Sequence, residues 1–171
     1  MIDASSYKIH DSLIQNWSSY VYGEISSQNL YNIIKNIDCD NKTFIDIGSG
    51  SGNVLFELSK IENLNLCGIE IDENRYKTSL KNAEKRDIFE IELMKGDYNE
   101  LYFGNYDILY CCNCIFEEED NQKLYKKILK EFKGHCFLFN FDKNLIPYYV
   151  GSHIIETSWV KQTELYYFLL Q

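Results

Sequence analysis

The sequence predicts one α/β domain built on a mostly parallel sheet that a C-terminal antiparallel hairpin closes. The chain has 171 residues, of which 45% are hydrophobic, 25% are charged and only one is proline, as expected for one globular domain. Strand-length apolar runs alternate with helix-length amphipathic segments, which is typical of βαβ units with right-handed crossovers. The last two apolar runs are too close together for a crossover helix, so we expect them to pair as a hairpin.

Five apolar runs predict parallel strands that are buried on both faces, at residues 43–47, 65–70, 89–93, 107–112 and 136–141. The hairpin is predicted at residues 154–158 and 165–170. Apolar spacing and uninterrupted helix-forming segments predict helices at residues 26–37, 53–61, 74–86 and 122–132. The first helix leads into the first strand and has Ser26 or Ser27 as its expected cap.

The charge balance favours a basic protein partner. Because 17 Lys and Arg residues stand against 26 Asp and Glu residues, for a net charge of -9, we expect weak DNA binding at most. The absence of an 18-residue apolar stretch and of a signal sequence predicts a soluble intracellular protein, in nucleus or cytoplasm, without membrane association. The cysteines at 111, 112 and 114 lack zinc spacing and are interpreted as small hydrophobic residues, so no metal site is predicted.

A glycine-rich turn follows the first predicted strand and opens the next helix. Gly48, Gly50 and Gly52 alternate with serines, so the backbone can approach a ligand that side chains would block. The helix amides beyond the turn favour a polar or anionic group. We therefore expect cofactor contacts from Gly48, Ser49, Gly50 and Gly52.

Acidic residues near the neighbouring strand ends narrow the choice of ligand. Glu70 ends the second strand, where it would grip ribose hydroxyls, as in a dinucleotide fold. A dehydrogenase fingerprint needs glycine at position 53, where this chain has Asn53, and Asp46 suits the ammonium of a methionine moiety. Asp97 and Tyr98 would hold an adenine by its exocyclic amine and ring face. Together these residues resemble the S-adenosylmethionine site of class I methyltransferases, and the predicted strands resemble their seven-stranded Rossmann-like sheet.

Further motifs resemble a narrower family. Residues 22–26 read Tyr-Gly-Glu-Ile-Ser, similar to the Tyr-Gly-Glu-Thr-Ser loop of the disruptor-of-telomeric-silencing (DOT) histone lysine methyltransferases. Residues 46–50, 68–70 and 96–98 resemble that family's Asp-Leu-Gly-Ser-Gly, Gly-Val-Glu and Gly-Asp-Phe. Ser-Trp at 158–159 followed by Tyr-Tyr at 166–167 is similar to its closing elements, at the same separation.

The resemblance covers about residues 20–170 and implies one methyltransferase domain over residues 1–171. Residues 1–25 would form an N-terminal segment and a loop that covers the cofactor, with Tyr22 and Glu24 as contacts, and residues 26–171 the catalytic core. It implies S-adenosylmethionine as methyl donor and a basic protein substrate, namely a core histone lysine in the nucleosome.

The family carries Asn-Asn-Phe-x-Phe after the fourth strand, whereas this chain has Cys112, Asn113 and, three positions later, Phe116. By resemblance Cys112 occupies the position that orients the methionine portion and the incoming amine, and Asn113 would compensate if the register shifts. An aromatic channel of Phe116, Trp159 and Tyr166 would disfavour the ammonium form of a lysine. These five residues are the predicted catalytic set.

The acidic run at residues 117–120 has two interpretations: it complements the dipole of the following helix, or it docks a basic substrate. Cys112 leaves two other functions open. One is methylation of a non-histone protein or a small molecule, and the other is a cofactor-binding module with an impaired transfer site. The sequence specifies neither the target lysine nor the oligomeric state.

Overall fold

The computed structural model describes residues 26–157 and 161–171, which form a seven-stranded sheet with helices on both faces. The strands are β1 (Thr43–Ile47), β2 (Asn65–Glu70), β3 (Glu92–Lys95), β4 (Ile108–Cys111), β5 (Gly134–Leu138), β6 (Tyr149–Ile155) and β7 (Thr163–Leu170). The helices are α1 (Ser27–Ile34), α2 (Asn53–Leu58), α3 (Glu73–Lys85) and α4 (Glu118–Glu131). The strand order is β3-β2-β1-β4-β5-β7-β6, and β7 runs antiparallel to both of its neighbours.

Alternate residues of the central strands build two hydrophobic cores, one on each face of the sheet. Ile45 and Ile47 of β1 belong to the core under α4, whereas Phe44 belongs to the core under α1 and α2. This division follows from the two-residue period of a strand, which sends successive side chains to opposite faces. Within the described ranges, no helix combines the length and apolar character needed to span a bilayer.

The predicted fold class is confirmed: five parallel strands are followed by an antiparallel pair. Strand β3 is displaced from its expected position at residues 89–93 and occupies Glu92–Lys95. Phe89 precedes it and is 71% exposed, so its place in the alternating pattern does not reflect burial. The hairpin strand β6 begins at Tyr149, five residues before the expected start, and its polar Ser152 and His153 fit an edge strand with exposed positions.

Two boundaries bear on the site. β5 was expected to reach residue 141 but ends at Leu138, because the side chain of Asn113 accepts the backbone N–H groups of Phe139 and Asn140. α4 was expected from residue 122 but begins at Glu118, which places the acidic residues in its first turn. α1 and α2 each end three residues earlier than expected, α1 begins one residue later, and the Ser26 hydroxyl makes no capping hydrogen bond.

We predict that Gly134→Ala lowers the free energy of unfolding by about 1 to 3 kcal/mol or more. Gly134 has φ +133°, and an added Cβ would lie 2.2 Å from the carbonyl oxygen of Asp107. Gly151→Ala in β6 is the matched control, because a Cβ there meets nothing within 4 Å. Urea denaturation measures both, and equal stabilities of the two variants would contradict the prediction.

Candidate active site

A cavity of about 370 Å³ lies where the first four strands end. The carboxyl ends of parallel strands meet at one edge of a sheet, so the turns after β1, β2, β3 and β4 all contribute to its wall. The predicted site residues that line it are Asp46, Gly48, Ser49, Gly50, Glu70, Asp97, Tyr98, Cys112 and Phe116. The fold thus collects most of the predicted site in one cavity.

The glycine turn is bound to the end of β2 by its own backbone. The amides of Gly48 and Ser49 both donate to the carbonyl of Ile69, at 2.9 and 3.0 Å. Gly48 has φ +77°, a conformation that L side chains rarely adopt, and a Cβ there would meet no atom within 4 Å. Gly52 does not line the cavity; it precedes α2 with φ +87°, and a Cβ would lie 2.8 Å from the ring of Phe56.

Glu70 is 3% exposed, and both of its carboxylate oxygens accept backbone hydrogen bonds. Oε2 accepts from the amide of Gly50 and Oε1 from the amide of Asp72, each at 2.8 Å. A carboxylate offers about four lone-pair sites, so each oxygen keeps one for a ligand hydroxyl. The side chain therefore fixes the glycine turn and still presents acceptors to the cavity it lines.

Asp46 is buried beneath the same turn at 3% exposure. Burial, together with the negative charge of Glu70, raises the pKa of Asp46 to about 8. A cationic group placed in the cavity would favour its ionised form and relieve this penalty.

Asp97 and Tyr98 form the wall beyond β3. Asp97 Oδ1 accepts hydrogen bonds from the backbone and side-chain nitrogens of Asn99, at 2.9 and 2.8 Å. The Tyr98 ring stacks on Phe116 with centroids 6.2 Å apart, and its hydroxyl donates to the carbonyl of Asp120 at 3.3 Å. Burial raises the pKa of Tyr98 to about 12, so the hydroxyl remains a donor at neutral pH. This wall joins the turn after β3 to the first turn of α4.

Cys112 and Asn113 have different surroundings although they are adjacent. Cys112 lines the cavity. Asn113 is fully buried and outside the lining, and its Nδ2 donates to Asn121, Tyr125 and the carbonyl of Asn140, at 2.7 to 3.1 Å. Since its Oδ1 accepts two further bonds, the amide of Asn113 is occupied inside the protein.

Of the remaining predicted residues, Tyr166 is the one that the structure describes, and it does not line the cavity. Tyr166 lies on β7, where its ring packs edge-on against Phe141 with centroids 4.8 Å apart. Tyr22, Glu24 and Trp159 lie outside the described residues. The aromatic channel is therefore represented at the cavity by Phe116 alone among the three residues predicted for it, as far as the described residues extend.

Several lining residues were missed from the sequence. Ile71 and Ile115 line the cavity although they are 69% and 58% exposed, and Arg75 brings a positive charge from α3. Asp120, by contrast, belongs to the acidic run already considered as a docking patch, and it lines the cavity from the first turn of α4. One signal could have identified Ile71: it is an apolar residue that directly follows Glu70, the acidic end of β2.

Residues 7–162 match the family model described as "Histone methylation protein DOT1". The chain belongs to the DOT1 family. This membership confirms the resemblance seen in the glycine turn and in the motifs around it. No match was found among curated proteins.

Solved structures similar to this DOT1-family chain share its fold. An RNA methyltransferase from Salinibacter ruber, in complex with S-adenosyl-L-homocysteine, has a TM-score of 0.64 and 19% identity over 81% of this chain and 88% of its own. TrmN from Thermus thermophilus has a TM-score of 0.68 and 15% identity over 85% of this chain and 48% of its own. The fold is that of class I methyltransferases, and S-adenosylmethionine as cofactor agrees with both family and fold.

We predict that Glu70→Ala and Asp97→Ala each weaken S-adenosylmethionine binding by about 1.5 to 3 kcal/mol, tenfold to a hundredfold in Kd. Each change removes a carboxylate that lines the cavity. Calorimetric titration measures the effect.

Asp142→Ala is the matched control for Asp97→Ala. Asp142 binds Asn144 through the same pair of nitrogens, at 2.8 and 3.1 Å, also at the start of a helical turn, but outside the cavity lining. We expect it to leave binding unchanged. Parent-like affinity in both cavity variants would contradict the assignment of these carboxylates.

We predict that the cofactor-free protein loses stability between pH 5 and pH 7 because of Asp46. Its pKa is about 8 in the folded state against 3.8 as the ordinary value, so the folded state binds more protons in this window. The free energy of unfolding should then fall as pH rises, by about 1 to 3 kcal/mol from this group. Asp46→Asn should flatten that dependence in urea melts, and parallel profiles for both proteins would contradict it.

Proposed function

We propose that this protein transfers a methyl group from S-adenosylmethionine to a lysine of a basic protein, specifically a histone core lysine in the nucleosome. The observation that carries the proposal is the acidic first turn of α4 at the cavity rim: Glu118 and Glu119 stand beside Asp120, which lines the cavity. The cofactor cavity thus adjoins an acidic surface that attracts cationic side chains.

The charge of the cavity supports the cofactor. S-adenosylmethionine carries a sulfonium, an ammonium and a carboxylate, so its net charge is positive. The lining holds the carboxyl groups of Asp46, Glu70, Asp97 and Asp120 and one guanidinium, that of Arg75. Glu70 would accept from the ribose, Asp46 would face the ammonium, and Asp97 with Tyr98 would hold the adenine beside Ile71.

When bound, S-adenosylmethionine supplies the methyl group. The attacking amine must be neutral, whereas a solvated lysine has a pKa of about 10.4. The apolar side chains of Ile115 and Phe116 at the cavity wall would disfavour the ammonium form once a lysine enters between them. The acidic turn would concentrate the charged lysine at the entrance, and the apolar wall would favour loss of its proton to solvent.

The substrate is proposed to be protein because of the charge around the entrance. The fold also occurs in RNA methyltransferases, such as that of Salinibacter ruber, but phosphate groups would be repelled by four consecutive acidic residues, 117–120, and by the net charge of -9. Histones carry many lysines, so the same charges favour them.

Cys112 favours a second candidate function. By resemblance it occupies the position of the family's asparagine that orients the methionine portion and the amine, so the chain could act on a non-histone protein or a small molecule, or bind cofactor with impaired transfer. These outcomes are separable by experiment.

Incubation with methyl-labelled S-adenosylmethionine and nucleosomes, free histones or whole lysate tests the proposal, with mass spectrometry of labelled products. We expect label on a histone lysine. Label confined to another protein or a small molecule would support the second function. Calorimetric binding without label on any substrate would indicate the impaired module and contradict methyl transfer.

We predict that Cys112→Asn raises kcat for histone lysine methylation by about tenfold, because an oriented amide dipole stabilises developing charge better than a thiol. Cys114→Asn is the matched control, since it lies on the same turn but outside the cavity lining. Steady-state kinetics with a melting check measure both. Unchanged or lost activity in a folded Cys112→Asn protein would contradict this role.

A further inference from the structure

The turn after β4 brings two thiols together at the wall of the cavity. The sulfur atoms of Cys112 and Cys114 are 3.5 Å apart, and one thiol donates a hydrogen bond to the other. Both side chains are half-buried, and Cys112 lines the cavity. We propose that this pair is an oxidation site that closes to a reversible disulfide and thereby switches off methyl transfer. The effect on activity rests on the proposed function, whereas the disulfide does not.

The backbone between the two residues permits the bond. Residues two positions apart are separated by about 7 Å at full extension, and the helical turn Asn113–Ile115 shortens this distance. A disulfide needs Cα atoms about 4.4 to 6.8 Å apart and sulfurs about 2.05 Å apart. The sulfurs, now 3.5 Å apart, therefore have to approach by about 1.5 Å for the bond to form.

The neighbouring Asn113 holds the turn in this shape. Its side chain makes hydrogen bonds to α4 and to the backbone beyond β5, so the residue between the two cysteines is fixed on both sides. A ring closed across one rigid residue is strained, and strained disulfides are readily reduced again. The pair suits reversible modification better than permanent crosslinking.

The other four cysteines do not share these properties. Cys39, Cys67, Cys111 and Cys136 are buried, and burial raises the pKa of each thiol. By contrast, the hydrogen bond from Cys112 lowers the pKa of Cys114 and so raises its thiolate fraction. Cys114 is thus the attacking sulfur and Cys112 the resolving one.

A hydroperoxide is the oxidant that the chemistry requires. The Cys114 thiolate attacks the terminal oxygen, the S–O bond forms as the O–O bond breaks, and the leaving oxygen takes a proton. The Cys112 sulfur then attacks the Cys114 sulfenic acid, the S–S bond forms as the S–O bond breaks, and water leaves with the Cys112 proton. With hydrogen peroxide, two thiols and one peroxide yield one disulfide and two waters.

Treatment of the full chain with a small excess of hydrogen peroxide, followed by alkylation and tryptic mass spectrometry, tests the site. The peptide of residues 96–123 contains Cys111, Cys112 and Cys114. We expect it to lose two hydrogen masses and to carry one alkyl group, on Cys111, with full alkylation restored by dithiothreitol. Fragment sequencing places the alkyl group without any variant.

Three variants sharpen the assignment. Cys112→Ser and Cys114→Ser should each abolish the mass loss, and Cys111→Ala should retain it. Full alkylation after peroxide, a crosslink that includes Cys111, or added oxygen that dithiothreitol does not remove would each overturn the proposal.

Activity is measured separately from the mass readout. On a substrate that the reduced protein methylates, oxidation should lower the methylation rate at least tenfold, and dithiothreitol should restore it. The Cys114→Ser variant should keep its rate after the same peroxide treatment. Disulfide formation with unchanged activity would overturn the switch. If no substrate is methylated, the proposed function fails while the mass readout still decides whether the disulfide forms.

Discussion

A buried carboxylate bridges the ends of two neighbouring strands, and the geometry of the cavity depends on it. Glu70 accepts the amides of Gly50 and Asp72, which offset the cost of removing its charge from water. The bond from Gly50, together with the bonds from Gly48 and Ser49 to the carbonyl of Ile69, holds the glycine turn against β2. Burial raises the pKa of Asp46, and the nearby charge of Glu70 raises it further. Glu70 therefore contributes both to the shape of the turn and to the electrostatics of the cavity.

The sequence predicted the fold where burial and periodicity agree. β1, β2 and β4 are buried strands, and their bounds match the prediction to within one residue at each end. The bounds failed where a tertiary contact intervenes. The apolar run that contains β5 continues past Leu138, but the Asn113 side chain takes the next two amides, and no local pattern encodes a partner so distant in the chain. At β3, the apolar and polar residues of segment 89–93 alternate as in a half-buried strand, although Phe89 is exposed.

The lining of the cavity was predictable where backbone conformation dictates residue type. Backbone at positive φ favours glycine, so such a turn is visible in the sequence as a glycine pattern. An acidic residue at the end of the next strand adds a second signal. The orientations of Cys112 and Asn113 have no signal in the sequence. A helical turn begins between the two residues, so one side chain lies at the cavity and the other in the interior. Ile71 and Ile115 resemble ordinary surface residues in the sequence, since only the cavity beside them explains their exposure.

The cavity draws its described lining from residues 46–120, that is, from the β3-β2-β1-β4 half of the sheet and the first turn of α4. The half formed by β5, β7 and β6 supplies none of that lining. Such a division lets one half of the domain diverge in evolution while the other retains its ligand. The later half, with an edge strand and exposed apolar side chains such as Val150 and Ile154, is therefore where relatives with new preferences are expected to vary most.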